Sequence, residues 1–264
     1  MKQVLIRGIA GNMGQQAAET VLETEGFGLA AGVDRNTEVA SMADMTGISG
    51  GPSAGIESDI RSALEACEED IDIVIDFTSA QGLLEAVETG FELGLDFIIG
   101  TTGLDESERL RLEEMTEAAG RTLLLAPNFS LGAVLLMEMA SKASEYFPRV
   151  EIIEGHHENK EDAPSGTSIA TAEKMLNTRP FSAEEDIEFA AENVRGGSVN
   201  DVRIHSLRLP GMMAQQEVLL GGEGQILSLK HEARTREAFR PGIRLALKEL
   251  ENLEGYNYGL ENLL

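Results

Sequence analysis

Lys2-Gln3-Val4-Leu5-Ile6-Arg7-Gly8-Ile9-Ala10-Gly11-Asn12-Met13-Gly14 opens the chain and decides its fold. A short apolar run ends in a glycine-rich turn, and a helical pattern follows from Gln15 to Glu23. A second strand pattern, Gly28 to Val33, closes on Asp34-Arg35. Strand, glycine turn, helix, strand and acidic residue within roughly 30 residues form the dinucleotide-binding arrangement. The glycines let the backbone turn tightly and approach a pyrophosphate, which then rests on the helix N-terminus. An acidic residue after the second strand accepts hydrogen bonds from a ribose hydroxyl. The spacing is Gly8-x-x-Gly11-x-x-Gly14, one residue off the usual pattern, and a turn that merely packs helix on strand would share it. The cofactor stretch is therefore expected at Gly8, Ile9, Ala10, Gly11, Asn12, Met13 and Gly14, with Asp34 and Arg35.

The alternation continues. Residues 36 to 59 are rich in Gly, Ser and Met and read as a long loop. Ile60 to Glu69 reads as helix, Ile71 to Phe77 as a buried strand, and Thr78-Ser79 then starts the helix Leu83 to Leu93. Phe97 to Ile99 is a strand ending in Gly100-Thr101-Thr102-Gly103; helix Glu106 to Ala119 and strand Thr122 to Ala126 follow. Strands alternating with helices imply a parallel sheet, whose ligands collect at the carboxyl ends of its strands. Gly100, Thr101 and Thr102 lie at one such end, and Ala126, Pro127, Asn128 and Phe129 at another.

From Ser130 the pattern changes. A Met- and Leu-rich helix (Leu131 to Ser144), whose methionines suit a core, leads to strand Val150 to Glu154. Helix Thr167 to Leu176 and a polar acidic loop precede strands Val202 to Leu209, Gln215 to Leu220 and Gln225 to His231. Gly221-Gly222-Glu223-Gly224 joins the last two as a hairpin. The expected fold class is α/β: a Rossmann-type parallel-sheet nucleotide-binding domain plus a second α+β domain with a mostly antiparallel sheet. The first would span 1–129 and 237–264, including a helix at Arg240 to Leu250, and the second 130–236.

The second part carries a dense polar stretch, Glu154-Gly155-His156-His157-Glu158-Asn159-Lys160-Glu161-Asp162-Ala163-Pro164-Ser165-Gly166-Thr167. Pro164 is placed to begin a helix, with Ser165, Gly166 and Thr167 in its first turn, where backbone N–H groups bind anions. His156 and His157 are possible proton donors, Lys160 is a cation, and an anion cradle follows. A solvated loop with incidental histidines would look similar. Adjacent histidines on an extended backbone point in opposite directions, and no metal spacing is present.

Of 264 residues, 42% are hydrophobic and 25% charged, a globular composition. No apolar run approaches a membrane span, and Val4-Leu5-Ile6 is too short for a secretory core. One cysteine, Cys67, inside the helical pattern from Ile60, cannot form an internal disulfide, and a cytoplasmic location follows. Asp plus Glu number 46 against 21 Lys plus Arg, a formal charge of −25. That surface repels nucleic acid and anionic membranes. The acid is dispersed and lysine is scarce, which suggests adaptation to high salt.

These residues resemble the dihydrodipicolinate reductase (4-hydroxy-tetrahydrodipicolinate reductase) family over nearly the whole chain. The turn ending Asn12-Met13-Gly14, the pair Asp34-Arg35, Gly100 to Gly103 and Ala126 to Ser130 are similar to its nucleotide and nicotinamide segments. His156-His157 with Lys160 and Asp162 to Thr167 is similar to its signature; Arg208, Gly211, His231 and Arg236 lie in similar surroundings. The chain departs from the pattern at Arg7, usually small or apolar, at Asn12, often basic, and at Gln215, usually histidine.

The resemblance implies hydride transfer from NADH or NADPH to an unsaturated ring in the diaminopimelate route to lysine. It implies His156 as acid or base and Lys160 as proton donor. His157, Lys160, Ser165, Gly166 and Thr167 would hold a small dicarboxylate substrate, and the chain would form a homotetramer through its second-domain sheets. Asp34 with Arg35 suggests that both cofactors work, NADH at least as well as NADPH. The rivals are another Rossmann-type reductase, such as an aspartate or homoserine dehydrogenase, and a non-catalytic nucleotide-binding regulator.

Overall fold

The computed structural model describes residues 1–35, 56–181, 190 and 194–264. The chain forms two compact units, Met1–Phe129 with Phe239–Leu264, and Ser130–Ala238.

The first unit is a seven-stranded parallel sheet. Its strands are β1 (Lys2–Arg7), β2 (Phe27–Val33), β3 (Ile56–Glu57), β4 (Ile73–Asp76), β5 (Asp96–Ile99), β6 (Leu123–Leu125) and, from the end of the chain, β12 (Tyr256–Tyr258), in the order β12-β6-β5-β4-β1-β2-β3. Val4, Leu5, Ile6, Val74, Ile75, Ile98 and Ile99 are fully buried, as strands covered on both faces must be. The helices are α1 (Asn12–Glu23), α2 (Ile60–Ala66), α3 (Leu83–Glu92) and α4 (Glu106–Ala119). Helix α4 starts on a capping box, in which Asp105 accepts the Glu108 N–H and Glu108 reaches back to the Asp105 N–H.

Several boundaries differ from the sequence reading. Helix α1 starts at Asn12 rather than Gln15, because Gly11 serves as its cap. Helix α2 stops at Ala66 and Cys67 is its C-cap, where the backbone turns extended. Strand β4 is shorter than the run Ile71 to Phe77, because only Ile73–Asp76 pairs with β5. Of the long loop expected at 36–59, residues 36–55 lie outside the described residues, and Ile56–Glu57 adds β3 beside β2. Part of the acidic loop expected after residue 176 also lies outside them.

The second unit is a five-stranded mixed sheet in the order β11-β10-β7-β9-β8, formed by β7 (Arg149–His156), β8 (Gly197–Val199), β9 (Val202–Arg208), β10 (Ala214–Gly222) and β11 (Gln225–Ala233). Strands β7 and β9 run parallel; β7–β10, β10–β11 and β8–β9 are antiparallel. Helices α5 (Leu131–Ser144) and α6 (Gly166–Thr178) contribute to its core, where Leu136, Ala140, Ala172 and Met175 meet Ile152, Ile204, Val218 and Leu220. Strand β7 runs to His156, two residues beyond the expected end, because β10 continues the ladder through Gln215↔Gly155 and Ala214↔His156. Pro164 precedes the helix instead of beginning it: Ser165 is the N-cap, its oxygen accepting the Ser168 N–H, and α6 runs to Thr178. Helix α7 (Arg240–Glu249) belongs to the first unit, where Arg240 bridges Glu19 and Glu23 of α1 at 3.2 and 2.9 Å.

Candidate functional site

In the first unit the carboxyl ends of β1, β2 and β4 border a cavity of about 510 Å³. Its walls include Gly8, Ala10, Gly11, Asp34, Arg35 and Thr78. Gly8 has φ +76°, and a Cβ there would lie 2.6 Å from the Phe77 carbonyl oxygen. A Cβ at Gly14 would lie 2.0 Å from the Gly8 carbonyl oxygen, so α1 starts hard against the strand that feeds it. Asp34 accepts the Ala10 N–H at 2.9 Å, tying the turn to the end of β2. Helix N–H groups above a bare glycine turn, with a carboxylate at its edge, fit a dinucleotide. Ile9 contributes only backbone, since its side chain is fully buried, while Asn12 is exposed on the first turn of α1 and Met13 is part-buried beside it.

The end of β4 reads in the sequence only as a helix start at Thr78-Ser79, whereas α3 is capped by Gly82 and these residues face the cavity. Phe77, Thr78, Ser79 and Gln81 all line the cavity. The signal was an acid and a Thr-Ser pair closing a buried apolar run. Asp76, fully buried, pairs with Arg7; its other oxygen accepts the Thr78 N–H at 2.9 Å and the Thr78 and Thr101 hydroxyls at 2.7 Å each. Arg7 is thus the partner of a buried acid. Gly100 packs so closely that a Cβ would lie 2.1 Å from the Phe77 ring, and Phe77 meets Phe129 edge-on at 5.3 Å. These contacts join Gly100, Thr101 and Phe129 to the cavity wall. Ala126 is buried, Asn128 part-buried, and Thr102 and Pro127 are exposed beside them.

In the second unit the covered face of the sheet changes character along β7. Ile152, Ile204 and Val218 form an apolar row. The next row is Glu154, Ser206 and Gln216, and the last is His156, Arg208 and Ala214. Gln216 is buried against α6, accepting from Ser168 at 2.7 Å and donating to Thr171 at 2.9 Å. His156 Nδ1 lies 2.5 Å from Glu154 Oε2, while His157, the next residue, is exposed. Lys160 Nζ is held by both Asp162 oxygens at 2.7 and 2.8 Å, and that hydrogen bond keeps the Asp162 carboxyl below its ordinary range. Gly166 opens α6 with open space around it, and Ser165 is buried in its cap. Gln215 lies on the opposite face against Gly155, so that departure leaves the polar rows intact. His231 Nε2 lies 3.4 Å from the Ser130 hydroxyl, and burial lowers its pKa.

A parallel sheet with a dinucleotide-fitting turn, and a second unit with a histidine–lysine segment at a helix start, define a nucleotide-dependent oxidoreductase. The family models described as Dihydrodipicolinate reductase, N-terminus and C-terminus, match residues 2–129 and 132–264. The chain belongs to the dihydrodipicolinate reductase family, NAD(P)H-using oxidoreductases of lysine and diaminopimelate biosynthesis. It is 41% identical to the 4-hydroxy-tetrahydrodipicolinate reductase of Moorella thermoacetica, over 99% of this chain and 97% of that protein. It is 40% identical to that of Syntrophomonas wolfei over the full length of both. The dipicolinate-bound dihydrodipicolinate reductase from Paenisporosarcina sp. TG-14 superposes with a TM-score of 0.87 at 33% identity, covering all of both chains. The amine dehydrogenase of Mycobacterium smegmatis, at 12% identity and a TM-score of 0.71, shares the fold alone. The resemblance read from the sequence is borne out, and neither rival is favoured.

Proposed function

We propose that the chain reduces 4-hydroxy-tetrahydrodipicolinate to tetrahydrodipicolinate, with His156 and Lys160 handling the proton. The observation that supports this most is His156, oriented by a buried carboxylate at the end of β7, close in sequence to Lys160 and the cap of α6. Bound NADH or NADPH would supply hydride. Gly8 to Gly14 would hold its pyrophosphate, Asp34 its ribose, and Gly100 to Thr102 with Ala126 to Phe129 the nicotinamide end. His157, Lys160, Ser165, Gly166 and Thr167 would hold the carboxylates of the substrate. Charge developing on the ring after hydride arrives is quenched by a positioned acid, His156 or Lys160.

Residues 1–129 and 237–264 then act as the nucleotide domain, and 130–236 as the substrate and assembly domain. Both cofactors should serve, NADH at least as well as NADPH. Asp34 repels a 2′-phosphate, Asn12 supplies no charge, and Arg7 is already paired with Asp76. Among the described residues no helix is long and apolar enough to cross a membrane, and we assign the enzyme to the cytoplasm. The face of the second sheet opposite its apolar row carries Ile153, Leu207, Leu219 and Ile226, the last 74% exposed, and suits a homotetramer. The dispersed charge of −25 suits a high-salt setting.

A coupled assay of aspartate semialdehyde, pyruvate, the upstream synthase and this protein with either cofactor tests the reaction. His156→Ala should lower kcat by about 10²–10⁴-fold, and Lys160→Ala should lower kcat and raise KM. Gly166→Ala fits the fold and should raise KM alone. Near-normal turnover in His156→Ala/Lys160→Ala would remove this active site.

A further inference from the structure

Glu154 has no exposed side-chain surface, yet it is a carboxylate in the core of a sheet. Both of its oxygens are used. Oε2 faces His156 Nδ1 at 2.5 Å, and Oε1 accepts from Arg208 Nη1 at 2.9 Å. Burial pushes the carboxyl up, but hydrogen bonds from His156, Ser206 and Arg208 together hold it below the ordinary glutamate range. Arg208 reaches further: its Nε donates to the Lys160 carbonyl at 3.3 Å and its Nη2 to the Asp162 carbonyl at 2.5 Å. One carboxylate and one guanidinium therefore join the His156 ring to the loop that carries Lys160.

We propose that Glu154 and Arg208 are the positioning residues of this proton-handling site, resting on the assignment of His156 and Lys160 made above. An ionised carboxylate only accepts, so one imidazole proton stays at Nδ1 in both the neutral and the charged ring, and Nε2 is the nitrogen that takes up the second proton and gives it to the substrate. Arg208 offers the rigid five-donor fork of a guanidinium and fixes the lysine loop by its backbone rather than by Lys160's own charge. The pairing has a specific consequence for Glu154→Gln. The amide has one acceptor, and Arg208, which can only donate, must take it. The NH₂ then faces Nδ1 and donates to it, so the neutral ring moves its proton to Nε2. A merely structural glutamate would produce no such exchange.

Nitrogen-15 NMR of the histidine rings reads the tautomer directly, with the His156 signals identified by their loss in His156→Ala. The wild-type ring, in its neutral form, should be protonated at Nδ1. Glu154→Gln should show Nε2–H, with kcat lower by about 10²-fold and NADH affinity unchanged. Glu154→Asp, which keeps the charge, should keep Nδ1–H and recover about tenfold of that loss. Arg208→Lys should leave the tautomer in place while KM rises about tenfold, because a single ammonium nitrogen lacks the planar fork whose three nitrogens reach the carboxylate and the two carbonyls separately. A wild-type ring protonated at Nε2 would overturn the proposal without any variant. So would wild-type kcat in Glu154→Gln or, should that variant not fold, wild-type KM in Arg208→Lys, in an enzyme that His156→Ala disables. If His156→Ala itself turns over normally, the assignment of the acid has failed rather than its positioning.

Discussion

Replacing Asp76 by Asn tests whether the ends of β1, β4 and β5 are held by one buried charge. The carboxylate has no exposed surface, and Arg7 beside it is only 15% exposed. It accepts the Thr78 N–H at 2.9 Å and the two threonine hydroxyls at 2.7 Å, besides the guanidinium. Asparagine keeps the shape but turns one acceptor into a donor. If its carbonyl keeps the threonine bonds, its NH₂ faces Arg7, donor against donor. Removing one partner of a buried pair costs about 3–5 kcal/mol. Partial exposure lets Arg7 turn toward water, which favours the lower end of that range. Against a total stability of about 5–15 kcal/mol this is a large fraction. Thr101→Val removes one hydrogen bond from the same carboxylate and should cost only about 1–2 kcal/mol. Urea unfolding measures both, as a fall in the midpoint at constant m. NADH titration should show about tenfold weaker binding for Asp76→Asn, because Thr78 lines the cavity and Thr101 adjoins it. A loss below about 1 kcal/mol with unchanged NADH affinity would refute the idea that this charge organises the strand ends.

Arg35→Ala should weaken NADPH more than NADH, by about 1.5–3 kcal/mol for one lost charge-assisted bond; equal losses in fluorescence titrations would rule out contact with a 2′-phosphate. With a formal charge of −25, the melting temperature should climb steeply with KCl as the Debye length falls from about 10 Å at 0.1 M to about 3 Å at 1 M. A flat melting curve across that range would remove the high-salt proposal and leave the reductase intact. Acid should unfold the second unit through Glu154 and Glu151: each is raised by burial but lowered on balance, Glu154 by His156, Ser206 and Arg208 and Glu151 by Arg195 and His205. Their folded pKa values lie below the unfolded ones. The stabilisation is therefore complete above about pH 4.3 and disappears as pH falls through the lower folded values. Glu154→Gln should flatten the fall of the urea midpoint with acidification, and an unchanged slope would contradict the pairing.

The first unit was legible because its signals are local. Val4-Leu5-Ile6, Gly8 to Gly14 and Asp34 lie within one stretch, and the apolar runs at 73–75 and 97–99 can only be buried. Strands β3 and β12, two and three residues long, carry no pattern of their own and exist through pairing with β2 and β6. Gly155-His156 reads as loop and becomes strand because β10 supplies its ladder. Asp76 and Glu154 were passed over for a different reason. A lone acid closing an apolar run looks like the start of solvent exposure, and the arginines that reverse that inference lie 69 and 54 residues away.

Those two acids share a construction. In a parallel pair both strands end on the same side, so residues at their carboxyl ends become neighbours however distant in sequence. Arg7 pairs in register with Asp76 across β1 and β4. Across β7 and β9, Glu154 stands opposite Ser206 and His156 opposite Arg208. Among the described residues β7–β9 is the parallel pair of an otherwise antiparallel sheet, and it is the pair that gathers the polar residues. An antiparallel neighbour such as β10 brings its beginning, Ala214 to Gln216, to the same place and supplies one amide and no charge. On the roles proposed above, the mixed topology of the second sheet would do for proton handling what the all-parallel sheet would do for the nucleotide. Each places an arginine beside a carboxylate with no exposed surface, and each leaves that carboxylate to fix the groups next to it.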